Sequence, residues 1–438
     1  MSLARGHGLS EPPRRRAPVG RLSGMAEPLA RHLVPADGIE APLPEAPPHQ
    51  DTGARLAIGL LAYMAAITTV ITLLPFRFAV PTELRIVVMG GLFDLVANIA
   101  LFVPLGFLYA VARKDAGTRP GRVFVVALIA SAAVESVQLF EVSRYASLAD
   151  ILANGAGAYL GAIGQVRLSR RIAMDARTVG RLSLELPVMG LVYLLIPLLW
   201  VDGIAGARSA ASLWPLLALG LFGGSLLAAA QRHHFGPNRL LSRELMVGAA
   251  CVWFLIGAFP GLAPRASIVM FVMVAIVGVF VWVRSQDKNS ARSINRRFES
   301  KALAEAAPFY AAYLLLLVAP VATSTTVGWT GDVGFAATSG LWDTKAVLHV
   351  VEVVAAFTLL GYMLAEFRGR REARFRAGAR YIAVCATGAA AVTEVLEGFH
   401  PDGGASLVRL VLVVFAAVYG SWLYHLQRAH VRRLLGRG

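Results

Sequence analysis

Twelve apolar runs separated by short loops constrain this chain more than any other feature. They lie near residues 56–74, 87–112, 123–141, 147–166, 184–201, 210–230, 244–260, 266–284, 308–323, 344–366, 380–398 and 405–426. A helix needs about 20 residues to cross the hydrocarbon core of a bilayer. Inside that core only a helix or a closed barrel satisfies its own backbone groups. Runs of this length and number predict an all-α, polytopic helical membrane protein with about 12 transmembrane helices. The run at 308–323 is the shortest.

Charge agrees with that reading. Only 16% of residues are charged, yet the formal net charge is +15. An ordinary soluble domain has about 25% charged residues. A soluble globular domain is therefore excluded, and so is a nucleic-acid binder built on a basic surface; membrane lipids are the expected partners. Of the 42 Lys and Arg residues, 35 fall in the two termini and the even-numbered loops. The odd-numbered side has only Arg77, Arg85, Arg144, Arg208, Arg265, Lys345 and Arg409. By the positive-inside rule both termini are cytoplasmic and the odd-numbered loops face outward.

The chain also repeats itself. Glu135 to Gly161 aligns without gaps on Glu394 to Gly420, with seven of 27 positions identical, among them Glu135/Glu394, Ser147/Ser406 and Gly161/Gly420. Upstream, the block from Ala100 to Phe107 is similar to that from Ala355 to Tyr362. Two parallel four-helix repeats are expected to flank a four-helix middle segment. The divisions are 1–55, 56–166, 167–307, 308–426 and 427–438. Residues 1–55 carry nine prolines in the first 48 positions and the run Arg14, Arg15, Arg16, and predict a disordered cytoplasmic tail. Residues 427–438 predict a second, basic tail. The middle segment reads as scaffold with no ionisable residue deep in the membrane. Cys251 and Cys385 lie inside apolar runs and suggest neither a disulfide framework nor a metal site.

An ionisable group inside a membrane helix costs about 2.5–3.5 kcal/mol on insertion scales, so each needs a reason. The second run carries Asp94 and Asn98, four residues apart and so on one helix face. The third carries Glu135 and Gln138, and the fourth opens with Asp150 and Asn154. Arg144 lies in the loop between the third and fourth. The topology puts these six in the outer half of the membrane, below the short loop that carries Arg144, with Asp94 and Glu135 about two turns from their helix ends. They predict an acidic, amide-rich pocket open to the outer face, with Arg144 as partial counter-ion. The alternative is packing alone: amides hydrogen-bond helices together, and Asp150 suits a helix N-terminus.

The pattern Asp94-x3-Asn98-x3-Phe102-x-Pro104-x-Gly106, then Glu135-x2-Gln138, then Arg144-x5-Asp150-x3-Asn154-x2-Gly157-x3-Gly161 resembles the VanZ-like membrane family. The resemblance covers roughly residues 56–166 and implies a four-helix membrane unit. It also implies a bacterial plasma-membrane protein of the cell envelope, with a role of the teicoplanin-resistance type. Asp94, Asn98, Glu135, Gln138, Arg144, Asp150 and Asn154 are the polar residues of the motif. Pro104, Gly106, Gly157 and Gly161 read as structural.

The second repeat departs from this pattern. Asp94 becomes His349, Asn98 becomes Val353, Gln138 becomes Glu397, Arg144 becomes Gly403, Asp150 becomes Arg409 and Asn154 becomes Val413. This copy reads as degenerate and kept for packing. The sharper alternative is a different site, made of His349, Glu352, Glu394, Glu397 and His400. No metal or cofactor is expected. The functional expectation is an envelope membrane protein whose pocket binds or processes an envelope lipid, glycolipid or glycopeptide-like ligand. A transporter or flippase for an envelope precursor is the alternative. No nucleophile–base motif is present, which favours binding over catalysis.

Overall fold

Backbone polar groups that cannot reach water decide the local structure throughout this chain. The computed structural model describes residues 52–80, 86–88, 91–113, 119–142, 144–173, 190–205, 213–232, 243–258, 267–286, 298–318, 328–332, 344–368, 375–399 and 404–434. The described elements are α1 (Thr52–Leu73), β1 (Ile86–Val87), α2 (Leu92–Ala112), α3 (Pro120–Gln138), β2 (Ala146–Ser147), α4 (Leu148–Ala173), α5 (Gly190–Ala205), α6 (Leu213–Ala230), α7 (Arg243–Ala258), α8 (Ser267–Ser285), α9 (Phe298–Val318), β3 (Gly331–Asp332), α10 (Thr344–Arg368), α11 (Phe375–Glu397), β4 (Ala405–Ser406) and α12 (Leu407–Leu434). Eight of these helices are long and apolar enough to cross a membrane: α1, α2, α3, α6, α8, α10, α11 and α12. The protein is an all-α, multi-pass membrane protein. Of the other four, α5 and α7 are apolar but short, α4 ends on Arg167, Arg170 and Arg171, and α9 opens on Glu299, Lys301 and Glu305.

Each of the twelve apolar runs contains one helix, but several boundaries move. α9 begins at Phe298 and continues through Pro308, ten residues before the expected start. Its polar first turns are held by a salt bridge from Arg232 to Glu305 at 2.5 Å. α12 runs on to Leu434, so most of the expected basic tail is helix. The expected disordered tail lies outside the described residues, apart from Thr52 to Arg55, which already belong to α1.

The start of the second apolar run is not helical. Ile86–Val87 forms a parallel two-residue ladder with Ala146–Ser147, and α2 starts only at Leu92. The neighbouring loop bonds extend this contact: Ala79 donates to Phe140 at 2.8 Å, Val142 to Arg77 at 3.0 Å and Ala149 to Val88 at 3.1 Å. The α1–α2 and α3–α4 connections thus satisfy each other's backbone where helices end, as an apolar environment requires. The second ladder, Gly331–Asp332 with Ala405–Ser406, joins the α9–α10 and α11–α12 connections in the same way.

Helix packing follows the small residues. A Cβ at Gly106 would collide with Ala158 backbone, one at Gly157 with the Ile99 carbonyl, and one at Gly161 with the Val103 carbonyl. These three glycines let α2 and α4 touch backbone to backbone. α10 and α12 meet in the same manner at Gly361 against Ala417 and at Gly420 against Thr358. α1 joins the two four-helix groups: the Tyr419 hydroxyl donates to the Gly59 carbonyl at 2.7 Å. The aromatic side chains Trp200, Phe222, Phe254, Tyr313, Phe357 and Tyr362 are fully buried.

Gly161→Val should therefore force α2 and α4 apart, since the obstacle is backbone and not a rotatable side chain. Overpacking of this kind costs about 1–3 kcal/mol or more, and the variant should lose folded protein in detergent size-exclusion. Gly164→Ala, one turn on, meets nothing within 4 Å and should elute like the wild type. Equal behaviour of the two variants would contradict the packing assigned to this seam.

Candidate functional site

Ser147 organises the first polar group. It precedes α4, and its Oγ accepts the Asp150 N–H at 3.3 Å, as an N-cap serine does three residues before its partner. The Ser147 N–H donates to Glu135 Oε2 at 2.9 Å. Glu135 lies in the last turn of α3 and is only 6% exposed. One short strand residue thus caps one helix and anchors the carboxylate of the preceding one. A charge-assisted bond of this kind contributes about 1.5–3 kcal/mol.

Five of the seven expected residues converge on this point. The Asn98 amide hydrogen-bonds the Asp150 carboxylate, and Asp94 and Arg144 lie within electrostatic reach of Asp150. Glu135 is in turn within reach of Asp150 and Arg144. Asp94 sits in the first turn of α2 and Asp150 in the first turn of α4, both where the helix dipole favours an anion. Arg144 is exposed, and its Nε donates to the Leu74 carbonyl at 3.2 Å, which ties it to the turn after α1.

Two residues face elsewhere. Gln138 donates to the Thr72 carbonyl of α1 at 2.6 Å and joins helices. Asn154 lies one turn deeper, where its Nδ2 donates to Ser131 Oγ at 2.8 Å. The depth estimate also shifts. Asp94 and Glu135 lie within one turn of their helix ends, because the ladder takes residues assigned to α2 and because a turn at Leu139 and Phe140 ends α3. The group therefore sits at the end of the bundle. Ser147 and Ser131 were not singled out by the pattern of acids. A serine three residues before an acid at the start of an apolar run was the available signal for Ser147.

The corresponding end of the second four-helix group has the same frame and a different charge balance. Ser406 N–H donates to Glu394 Oε2 at 2.7 Å, and Ser406 Oγ accepts the Arg409 N–H at 3.2 Å. Here Arg409 also grips Glu394, with Nε to Oε1 and Nη2 to Oε2 both at 2.6 Å. Both side chains are buried. The expectation of an empty scaffold in the middle segment fails at Asp202, which the extension of α5 to Ala205 places inside a helix and 1% exposed. Among the described residues no group of three or more His, Cys, Asp or Glu could hold a metal ion. His400 lies outside the described residues.

Residues 53–168 match the VanZ/LLP1 family. The match spans α1 to α4 and so contains the whole first polar group. This VanZ-like unit is membrane-helical, as the resemblance implied. No curated protein and no solved structure matches the chain. Chemically, three carboxylates and an amide facing one guanidinium make the end of the VanZ-like unit an acceptor of hydrogen bonds and of positive charge.

The Arg409–Glu394 pair gives a direct test of the electrostatics. Arg409→Ala leaves a buried carboxylate without its cation and should cost about 3–5 kcal/mol. Adding Glu394→Gln in the same chain should recover part of that loss. Chemical unfolding in detergent, followed by tryptophan fluorescence, measures both. A single variant as stable as the wild type would contradict the pairing.

Proposed function

We propose that the chain is a multi-pass protein of the bacterial plasma membrane with both termini in the cytoplasm. In that orientation the ladder end of the VanZ-like unit opens to the outside. There Asp94, Asn98, Glu135 and Asp150 bind the polar head of an envelope lipid, glycolipid or glycopeptide-like molecule. Arg144 stands at the exposed rim and can engage a phosphate or carboxylate on the same ligand. Gln138 and Asn154 support the site by holding α3 to α1 and α4.

The observation that carries this reading is the convergence on Ser147 of residues far apart in the chain: Asp94 and Asn98 of α2, Glu135 of α3 and Asp150 of α4. Packing alone does not need a third carboxylate. The second four-helix group supports the reading by contrast. At the position of Asp150 it has Arg409, which neutralises Glu394 internally. The VanZ-like unit carries an acid there, so it is suited to a cationic or hydroxyl-rich partner. We read the two groups as copies of one ancestral unit, of which the first kept the ligand site. A site at the end of the bundle and in one copy suits binding at one leaflet better than passage across the membrane.

Glu135→Gln keeps the size of the side chain and removes the charge. It should insert and purify normally, while the lipid class that co-purifies with the wild type falls at least about tenfold, the loss of one charge-assisted bond. Mass spectrometry of bound lipids measures this, alongside lipid and cell-wall analysis of a deletion strain carrying the variant. Unchanged lipid retention and an unchanged envelope would favour the packing role.

A further inference from the structure

A cleft in the second four-helix group adjoins the Glu394–Arg409 pair. It is lined by His349, Glu394, Glu397 and Arg409 on its polar side and by residues such as Leu314 and Phe357 on its apolar side. His349 stands between two carboxylates: Nε2 is 3.2 Å from Glu397 Oε1, and Nδ1 is 3.9 Å from Glu352 Oε2. Glu352 lies eight residues into α10, about 12 Å along the helix axis. Its carboxyl meets that of Asp202 on α5.

Asp202 is 1% exposed, and neither of its carboxylate oxygens finds a donor among the described residues. Among the described residues, the other titratable groups facing the pair are Tyr310 and Tyr313 on α9, His349 on α10 and Glu397 on α11, with Tyr63 on α1 beside the two tyrosines. The Tyr310 hydroxyl donates to the Ala356 carbonyl at 2.6 Å. Arg409 is committed to Glu394 and to the Gly404 carbonyl. Among the described residues, His349 is the basic group that faces both Glu352 and Glu397.

Two facts then act together. Two carboxyls in contact hydrogen-bond only through a shared proton, because an ionised carboxylate has no donor. Unneutralised charge in a low-dielectric bundle is costly, and chains of Asp, Glu and His inside membrane helices are the usual form of a proton path. We propose that Asp202 and Glu352 form a buried proton-binding pair, loaded from the cleft through Glu397 and His349. A hydronium ion at the cleft gives up its proton by Glu397 to His349 Nε2 and leaves water. The imidazole then gives its Nδ1 proton to Glu352, which shares it with Asp202. The transfer leaves the ring protonated at Nε2, and release of the proton along the same path restores the Nδ1–H tautomer. This proposal does not depend on the ligand site of the VanZ-like unit.

Infrared difference spectroscopy of the full-length protein in lipid nanodiscs tests it, in choline chloride so that sodium is absent. The wild type at neutral pH should show the C=O stretch of a protonated carboxyl, lost in Asp202→Asn and in Glu352→Gln but retained in Glu135→Gln. Asp202→Glu should keep the band at a shifted frequency, which covers the case in which Asp202→Asn does not fold. Exchange of the band in deuterated water should slow at least about tenfold in His349→Gln, the mark of a lost relay. A wild type without the band, a band untouched by both pair variants, or a band removed by added sodium would overturn the proton-binding pair. Unchanged exchange in His349→Gln would overturn the route.

Discussion

A backbone N–H donated across two helices to a buried carboxylate sets the geometry of both four-helix groups. Ser147 donates to Glu135 and Ser406 to Glu394. In each case the donor sits in a two-residue ladder that joins one interhelical connection to another. The bond fixes where the third helix of the group ends and where the fourth begins. It therefore also fixes which side chains of the fourth helix face the carboxylate. Position three of that helix is the decisive one. It holds Asp150 in one group and Arg409 in the other, on the same serine cap.

That single difference divides the roles of the two groups. Arg409 turns a buried acid into a closed, internally neutral pair. Asp150 leaves the equivalent end with an excess of acceptors. The glycine contacts that bring α2 against α4 and α10 against α12 are of one kind, so the groups share a scaffold while their charge differs. The second group's polar residues then continue inward through His349 and Glu352 to Asp202. Glutamate and histidine at the positions of Gln138 and Asp94 are what give that group an inward path.

Much of this was legible in the sequence, for physical reasons. Apolar run length is a direct consequence of bilayer thickness, so each of the twelve helices could be placed. Acids and amides in those runs are costly, so Asp94, Asn98, Glu135 and Asp150 stood out, and topology put them at one depth. What could not be read was where the backbone leaves the helix. Ile86–Val87 is apolar and β-branched, which suits strand and apolar helix alike, and only the partner Ala146–Ser147 decides between them. The same limit hid the orientation of Gln138 and Asn154, which depends on neighbours in α1 and α3. Asp202 was missed because it follows an apolar run by one residue, where a helix end and a buried turn look identical until α10 is packed against it.

The most direct test moves the charge of one group into the other. Asp150→Arg in the VanZ-like unit places a guanidinium where Arg409 stands beside Glu394. The variant should insert and purify as the wild type does, because Glu135 gains an internal partner, yet retain none of the lipid that co-purifies with the wild type. A well-folded variant that keeps its bound lipid would contradict the assignment of this end as the ligand site.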